Sequence, residues 1–399
     1  MDKRTFPYLT ARFFDGISSG LFMMALPWIM LQSPNMGPFV AMVALACTGI
    51  SFFCTPFFST LTDRHSRKLI LVIVQALQAS TATLVFVAYW FGLGSHWLLA
   101  FAQLLFWISS NLAWTTNNAF TQENYDPHEY ASISGKQEVI MQGTTLGAGA
   151  LGVVLLEMWG MLEFAAFAAV ASGIATLCYI YTPYRRKLRT SNAMPFFAQL
   201  KESKQLIVNE PRFYLFLMLS ALSYPVLTYL GKLVPIWFSE SGISGEWLAG
   251  YNLAFGLGSL ITGLFVAKLL GLFSAQNTML STMAICGFTV VGMSVSPHPI
   301  YLLLFTLIFG FFNAMNRIAR TNWMHVSVEV GSRGRADGIL QMFATLVQSV
   351  SYVAIALLSH YQVTQFGFVL AAMVMLLASF SMYLLSKKPL KHTEIAEAC

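Results

Sequence analysis

The chain has 399 residues, of which 56% are hydrophobic and only 10% charged, and its formal net charge is +6. A soluble domain carries about a quarter charged residues, so this composition excludes an ordinary soluble fold and points to a chain that crosses a membrane many times. The surplus of positive charge is informative through its placement rather than its sum, and it does not call for nucleic acid as a partner.

A membrane-spanning helix needs about 20 mostly apolar residues. On that ruler twelve spans are expected: Tyr8–Gln32, Gly37–Leu61, Leu69–Phe91, His96–Phe120, Ser132–Leu156, Met161–Tyr184, Phe213–Phe238, Trp247–Gly271, Asn277–Ser296, Ile300–Asn322, Gly338–His360 and Gln365–Ser386. The fold class expected is therefore an all-α polytopic membrane protein. The first run is too long for a signal-peptide core and carries Arg12 and Asp15, so it reads as a retained span. A long connection divides the spans six and six, giving an N-terminal half 1–184, a linker 185–212, a C-terminal half 213–386 and a tail 387–399. Within the linker, Phe196 to Ile207 is amphipathic and suited to the membrane interface.

Lys and Arg gather at Lys3–Arg4, Arg64–Lys68, Arg185–Arg189 with Lys201 and Lys204, Arg317–Arg335 and Lys387–Lys391. The intervening loops, around Ser33–Met36, Gly92–Ser95, Glu157–Glu163, Ser239–Glu246 and Ser359–Thr364, contain neither residue. The positive-inside rule then places both termini in the cytoplasm, in a multi-pass protein of the cytoplasmic (inner) membrane. The five cysteines, Cys47, Cys54, Cys178, Cys286 and Cys399, have no paired spacing, so neither a disulfide framework nor a metal site is expected. No cofactor motif, phosphate loop or nucleophile-and-base pair appears in the short soluble segments, which argues against an enzyme.

Polar residues recurring on one face of a span mark the side turned toward protein or water. The fourth span carries Gln103, Trp107, Asn111, Trp114, Asn118 and Gln122; the seventh carries Ser220, Tyr224, Thr228 and Lys232; the tenth carries Thr306, Asn313, Asn316, Arg317 and Arg320; the eleventh carries Asp337, Gln341, Thr345, Gln348 and Tyr352. The sixth, ninth and twelfth are nearly free of strongly polar side chains. Each amide serves equally well as an interhelical hydrogen-bond partner, and Arg320 and Lys136 lie close enough to a span end to snorkel. Asp15 either pairs with Arg12 one turn earlier or faces a hydrated pathway. Lys232 has no opposite charge nearby on its own helix, which favours a pathway-facing position.

Between the second and third spans stands a short charged turn, Ser59 to Lys68, with Asp63, Arg64, Arg67 and Lys68 at fixed spacing. This turn resembles the loop between helices two and three of the major facilitator superfamily, with Ser59 and Ser66 where glycines are usual. The resemblance implies two six-helix halves in which helices one, four, seven and ten surround a central cavity, and three, six, nine and twelve lie outside. Weak echoes between the halves accord with it: Ala25-Leu26-Pro27-Trp28 with Leu233-Val234-Pro235-Ile236-Trp237, and Asn111 before Ser134–Gly135 with Asn313 before Asp337–Gly338. In the fifth span Gly143, Gly147 and Gly152 fit the antiporter pattern of the superfamily, while Ala148 stands where proline is usual; close packing through small residues explains the same glycines. The stretch from Leu200 to Arg212 looks most like the branch of macrolide and siderophore exporters.

The resemblance thus implies a secondary transporter, acting as a monomer, that exports an amphipathic drug- or siderophore-like molecule by alternating access in exchange for protons. The pathway expected comprises Arg12, Asp15, Asn111, Trp114, Asn118, Glu138, Tyr224, Lys232, Asn313 and Arg317. The cytoplasmic gate implied is Asp63 meeting the start of the eleventh helix near Gly334–Gly338, with Arg64 and Arg67 reaching acids such as Glu123 or Asp126 at the end of the fourth. Asp15, Glu138 and Glu123 are the candidates for proton coupling. Two alternatives stay open. An excess of cations, Arg12, Lys136, Lys232, Arg317 and Arg320 against Asp15 and Glu138, suits an anionic carboxylate-rich substrate moved in either direction; a lipid flippase or a non-transporting sensor is possible on the same fold.

Overall fold

The structure is a computed structural model and describes residues 4–34, 36–185, 196–243, 245–296 and 298–387. Expectations that rest on Lys3, on linker residues 186–195 or on the tail 388–399, including Lys391 and Cys399, lie outside the described residues. Among the described residues all regular structure is helical: α1 (Thr5–Leu31), α2 (Gly37–Arg64), α3 (Arg67–Trp90), α4 (His96–Asn124), α5 (Tyr130–Met158), α6 (Met161–Tyr181), α7 (Phe196–Asn209), α8 (Pro211–Ala221), α9 (Ser223–Glu240), α10 (Gly245–Leu270), α11 (Ala275–Ser294), α12 (Pro299–Ser327), α13 (Arg333–His360) and α14 (Phe366–Ser386). Among the described residues eleven segments are long and apolar enough to cross a membrane, with α8 and α9 together forming one of them. The twelfth expected span is α11, whose 20 residues reach about 30 Å but whose first turns carry Gln276, Asn277, Thr278, Ser281 and Thr282, which lower its hydropathy.

Local sequence explains where the helices begin. Ser66 Oγ accepts from the Leu69 amide (3.4 Å) and Ser274 Oγ from the Asn277 amide (3.3 Å), so two hairpins place a serine where an orphan helix donor needs an acceptor. Ser95 serves α4 in the same way (3.2 Å), and His298 Nδ1 accepts from the Ile300 amide at the start of α12 (3.2 Å). The seventh span is interrupted at Leu222. Pro225 lacks the N–H that would continue the ladder to the Ala221 carbonyl, and the neighbouring Ser220 carbonyl accepts from Asn316 Nδ2 (3.0 Å).

Three successive elements recur along the chain. α4 begins at His96 and α12 at Pro299; single 3₁₀ turns begin at Pro127 and Val330; α5 begins at Tyr130 and α13 at Arg333, a constant offset of 203 residues. On this offset Gly135 corresponds to Gly338, whereas Asn111 and Asn313 miss each other by one position and so lie about 100° apart around their helices.

The chain forms two compact units: Met1–Tyr125 with Gly143–Phe196 and Val330–Gly338, and Asp126–Gln142 with Phe197–Glu329 and Ile339–Cys399. The first half of the sequence thus lends the start of α5 to the second unit, and the second half lends the start of α13 to the first. In the first unit α1 and α3 pack on α6 and α4, and α2 packs on α4. Its apolar core includes Leu21, Phe22, Leu26, Phe106 and Phe164, with Phe22 and Phe106 rings 4.7 Å apart. In the second unit α12 packs on α10 and α11, and α14 on α11 and α8. There Trp323 is fully buried, edge-on to Phe213 and Phe216 at 5.1 and 5.5 Å.

Candidate functional site

The first unit seats the opening turn of α13 on the C-terminal end of α2. Asp63 is buried and accepts from the Gly334 amide through Oδ1 (2.6 Å) and from the Arg335 amide through Oδ2 (3.0 Å). Those amides are among the orphan donors of the α13 N-terminus, where the helix dipole favours an anion. Arg335 Nε also donates to Asp63 Oδ2 (3.2 Å). Arg67 has no exposed surface; its guanidinium lies 3.8 Å from Asp63 Oδ1 and 3.7 Å from Glu123 Oε2, and donates to the Ala119 carbonyl (2.6 Å) and the Val330 carbonyl. Tyr184 Oη donates to Glu123 (2.6 Å). Taking a guanidinium out of water costs several kcal/mol unless it is well paired, so Arg67 belongs to a built cluster rather than a solvated turn. Arg64, by contrast, is exposed.

The absence of glycine at Ser59 and Ser66 does not loosen this seat. A Cβ at Gly334 would sit 2.4 Å from the Ser59 carbonyl and 2.9 Å from Asp63 Oδ1, and one at Gly338 would sit 2.7 Å from Ser59 Cβ. The space for close approach is supplied by α13 instead of α2, and Ser66 is used as a helix cap. A related correction applies to α5. Gly143, Gly147 and Gly149 have open space where a Cβ would go, and the tight α1–α5 approach comes from Gly16 and Gly20 against Thr144 and Ala148, with Gly152 against Met24.

Deeper in the first unit, Arg12 and Asp15 form an ion pair (3.2 Å), and Gln75 Nε2 donates to the other Asp15 oxygen (2.7 Å). Gln78 donates to Ser109 Oγ (3.0 Å). The third helix therefore contributes two amides to the interior of the unit, although the resemblance places it on the outside; a pair of glutamines on one face of an otherwise apolar helix is the signal that sequence reasoning passed over. Nearby, Tyr8 Oη donates to Asn117 Oδ1 (3.1 Å), another buried contact outside the expected set.

In the second unit Glu138 pairs with Arg317 and accepts from Gln142 Nε2 (2.9 Å). Asn316, fully buried, donates to Ser220 O and to Ser223 Oγ (3.1 Å), and Arg320 Nη1 donates to Ser220 Oγ (3.2 Å). Arg320 thus turns into the unit at the α8–α9 break and does not snorkel. Lys232 lines a cleft of about 480 Å³ with Ile236, Tyr352, Ile355, Ala356, Ser359 and His360. Asn111 donates to Ser51 Oγ (3.1 Å), while Trp114 and Tyr224 keep a third to a half of their surface exposed. Asn118, Asn313 and Tyr224 make no side-chain hydrogen bond among the described residues. The expected pathway residues thus fall into two ion pairs, one lysine-lined cleft and several separate side chains. Among the described residues no group of three or more His, Cys, Asp or Glu is placed to hold a metal ion.

A sequence profile of the Major Facilitator Superfamily matches residues 8–295 and, overlapping, 252–398. No curated protein sequence matches. Solved structures with the same fold include a bacterial homologue of the iron transporter ferroportin in the outward-facing state, 15% identical with a TM-score of 0.79 over 97% of this chain and 100% of that one. The human organic anion transporter MFSD10 (TETRAN) is 13% identical with a TM-score of 0.75, covering 95% and 99% of the two chains. The superfamily transporter FucP, in the outward conformation, is 12% identical with a TM-score of 0.73, covering 96% and 97%. At these identities the likeness is one of fold.

Proposed function

Because the chain belongs to the Major Facilitator Superfamily, we propose that this transporter moves a small organic molecule outward across the cytoplasmic membrane by alternating access, in exchange for protons and as a monomer with both termini inside. The observation that carries the reading is the seat of α13: its first turn is bound in one compact unit by Asp63, while its remaining turns belong to the other. A transport cycle then requires this turn to leave Asp63, and the buried charges Arg67, Glu123 and Arg335 set how costly that step is. An interaction made in one state and lost in the other biases the equilibrium between them.

Proton exchange is assigned to Asp15. It is buried, held by one arginine and one amide, and its protonation would release Arg12. Glu138 with Arg317 is the corresponding pair in the second unit and the next candidate. Export in place of uptake rests on the resemblance of the linker and of α5 to exporters, and the membrane side on the placement of Lys and Arg.

The test is flux and substrate-linked proton movement in proteoliposomes under an imposed pH gradient, screening amphipathic and anionic compounds. Asp15→Asn is expected to abolish the proton movement, and Asp63→Asn to slow flux while leaving coupling intact. Proton movement that survives in Asp15→Asn clears that residue of the role. A wild-type chain that carries no compound, or moves only lipid, favours the sensor or flippase instead.

A further inference from the structure

We infer that the cleft between α9 and α13 binds the anionic end of the transported molecule, with Lys232 as the charge that recognises a carboxylate. This inference rests on the transport reading above and names the substrate class. The cations counted in or beside the spans are not equivalent. Arg12 and Arg317 are matched by Asp15 and Glu138, and Arg320 is turned onto Ser220. Lys136 and Lys232 make no ion pair among the described residues; Lys136 is exposed near the start of α5, whereas Lys232 is exposed in the cleft, midway along α9.

The walls around it have the composition of a ligand site. Ile236, Ile355 and Ala356 give apolar surface, and Tyr352, Ser359 and His360 give polar atoms. Tyr352 Oη accepts from Gln348 Nε2 (2.6 Å), which leaves the phenol hydrogen free to donate to a ligand. Ser359 Oγ is committed to Glu240 (3.2 Å), and Thr364 also donates to Glu240, so the carboxylate at the end of α9 is held by two hydroxyls. Ile236 and Glu240 follow Lys232 at successive steps of four on one face of α9, so Glu240 stands about 12 Å along the helix from Lys232. A cleft of about 480 Å³ falls within the roughly 300–1,000 Å³ usual for small-molecule sites. A monocarboxylate with an apolar body fits this pattern: the carboxylate takes the ammonium and the Tyr352 hydroxyl, and the body lies on Ile236, Ile355 and Ala356. An ammonium in partly apolar surroundings attracts such an anion more strongly than it would in open water.

The experiment is equilibrium binding to the purified full chain in nanodiscs, with 4-phenylbutyrate as probe and 4-phenylbutyramide as its neutral match. Wild type should bind the acid and discriminate against the amide. Lys232→Gln should weaken the acid by about tenfold or more, the scale of a lost hydrogen bond to a charged group, and leave the amide unchanged; Lys232→Arg should restore most of the affinity, and Tyr352→Phe should cost a few-fold. Equal binding of acid and amide by wild type, or an acid affinity indifferent to Lys232→Gln, overturns the assignment. Because binding needs no flux, the two readings fail separately: retained acid binding without transport refutes the transport cycle, whereas transport of neutral compounds with no preference for the acid refutes the anion site.

Discussion

The starts of α5 and α13 occupy equivalent positions in the repeat, yet they are seated by different chemistry. Both follow a single 3₁₀ turn, and both approach a neighbouring helix at a glycine: Gly338 on Ser59 of α2, Gly135 on Gly263 of α10. On α10 the approach is glycine to glycine; a Cβ at Gly135 would lie 2.6 Å from the Gly263 carbonyl, and one at Gly263 would lie 2.8 Å from the Gly135 carbonyl. Beside it Ser134 Oγ donates to Asn322 Oδ1 (3.1 Å) and Tyr130 packs against His325 (ring centroids 4.9 Å), with the Glu138–Arg317 pair about one turn further in. On α2 the same geometry is surrounded by Asp63, Arg67, Glu123 and Arg335. The hairpins that follow differ in the same sense: Asp63-Arg64-His65-Ser66-Arg67-Lys68 in one, Gly271-Leu272-Phe273-Ser274-Ala275-Gln276 in the other, sharing only the serine cap. Shape is thus conserved between the two seats, while the use of charge differs: at α2 a buried carboxylate caps the start of the incoming helix, and at α10 the Glu138–Arg317 pair lies beside the glycine contact.

Removing the central cation breaks that contrast most forcefully. Arg67→Met leaves Asp63 and Glu123 buried without their shared guanidinium and should destabilise the protein by about 3–5 kcal/mol, read as a lowered midpoint of thermal unfolding in detergent. Arg317→Met in the other unit should cost less, because it leaves one buried carboxylate, Glu138, without its partner, where Arg67→Met leaves two. Equal losses would mean that the two seats do not differ in the way described. Next in size are Gly334→Leu and Gly135→Leu, each expected to cost about 1–3 kcal/mol through overpacking and to reduce flux in proteoliposomes. Here the two should behave alike, since the steric demand is shared; a tolerated leucine at either position would show that the close approach is dispensable there. Smallest are Ser66→Ala and Ser274→Ala, about 1 kcal/mol each for a lost helix cap, measured in the same unfolding assay.

Much of this arrangement is legible in the chain because membranes impose simple rules. Long apolar runs give the spans, and the charged turn at Asp63 announces a contact that a neutral turn would not need. Other features escape because a contact has two sides. The serines at 59 and 66 suggest a loosened approach, but Gly334 and Gly338 supply the room from the opposite helix, and no rule applied to one helix alone reveals that. Arg320 reads as a snorkelling residue by its distance from the span end, whereas Ser220 at a broken helix gives it a nearer partner. The break itself was marked by Pro225, and the inward role of α3 by Gln75 and Gln78, whose desolvation demands partners. Segment exchange between the two units leaves no local trace in sequence; it appears only when each stretch is assigned by what it packs against.

The claim that Asp63 holds the first turn of α13 in its seat is tested most directly at Thr62, which is fully buried and whose Cβ would lie 3.1 Å from a Cβ added at Gly334. In a background freed of Cys47, Cys54, Cys178, Cys286 and Cys399, Thr62→Cys should react slowly with a membrane-impermeant maleimide added on the side of the charged turn, and Asp63→Asn should raise the labelling rate by about tenfold, equivalent to about 1.4 kcal/mol less bias toward the seated state. An unchanged labelling rate together with unchanged flux would contradict the account and reduce the charged turn to a marker of membrane orientation.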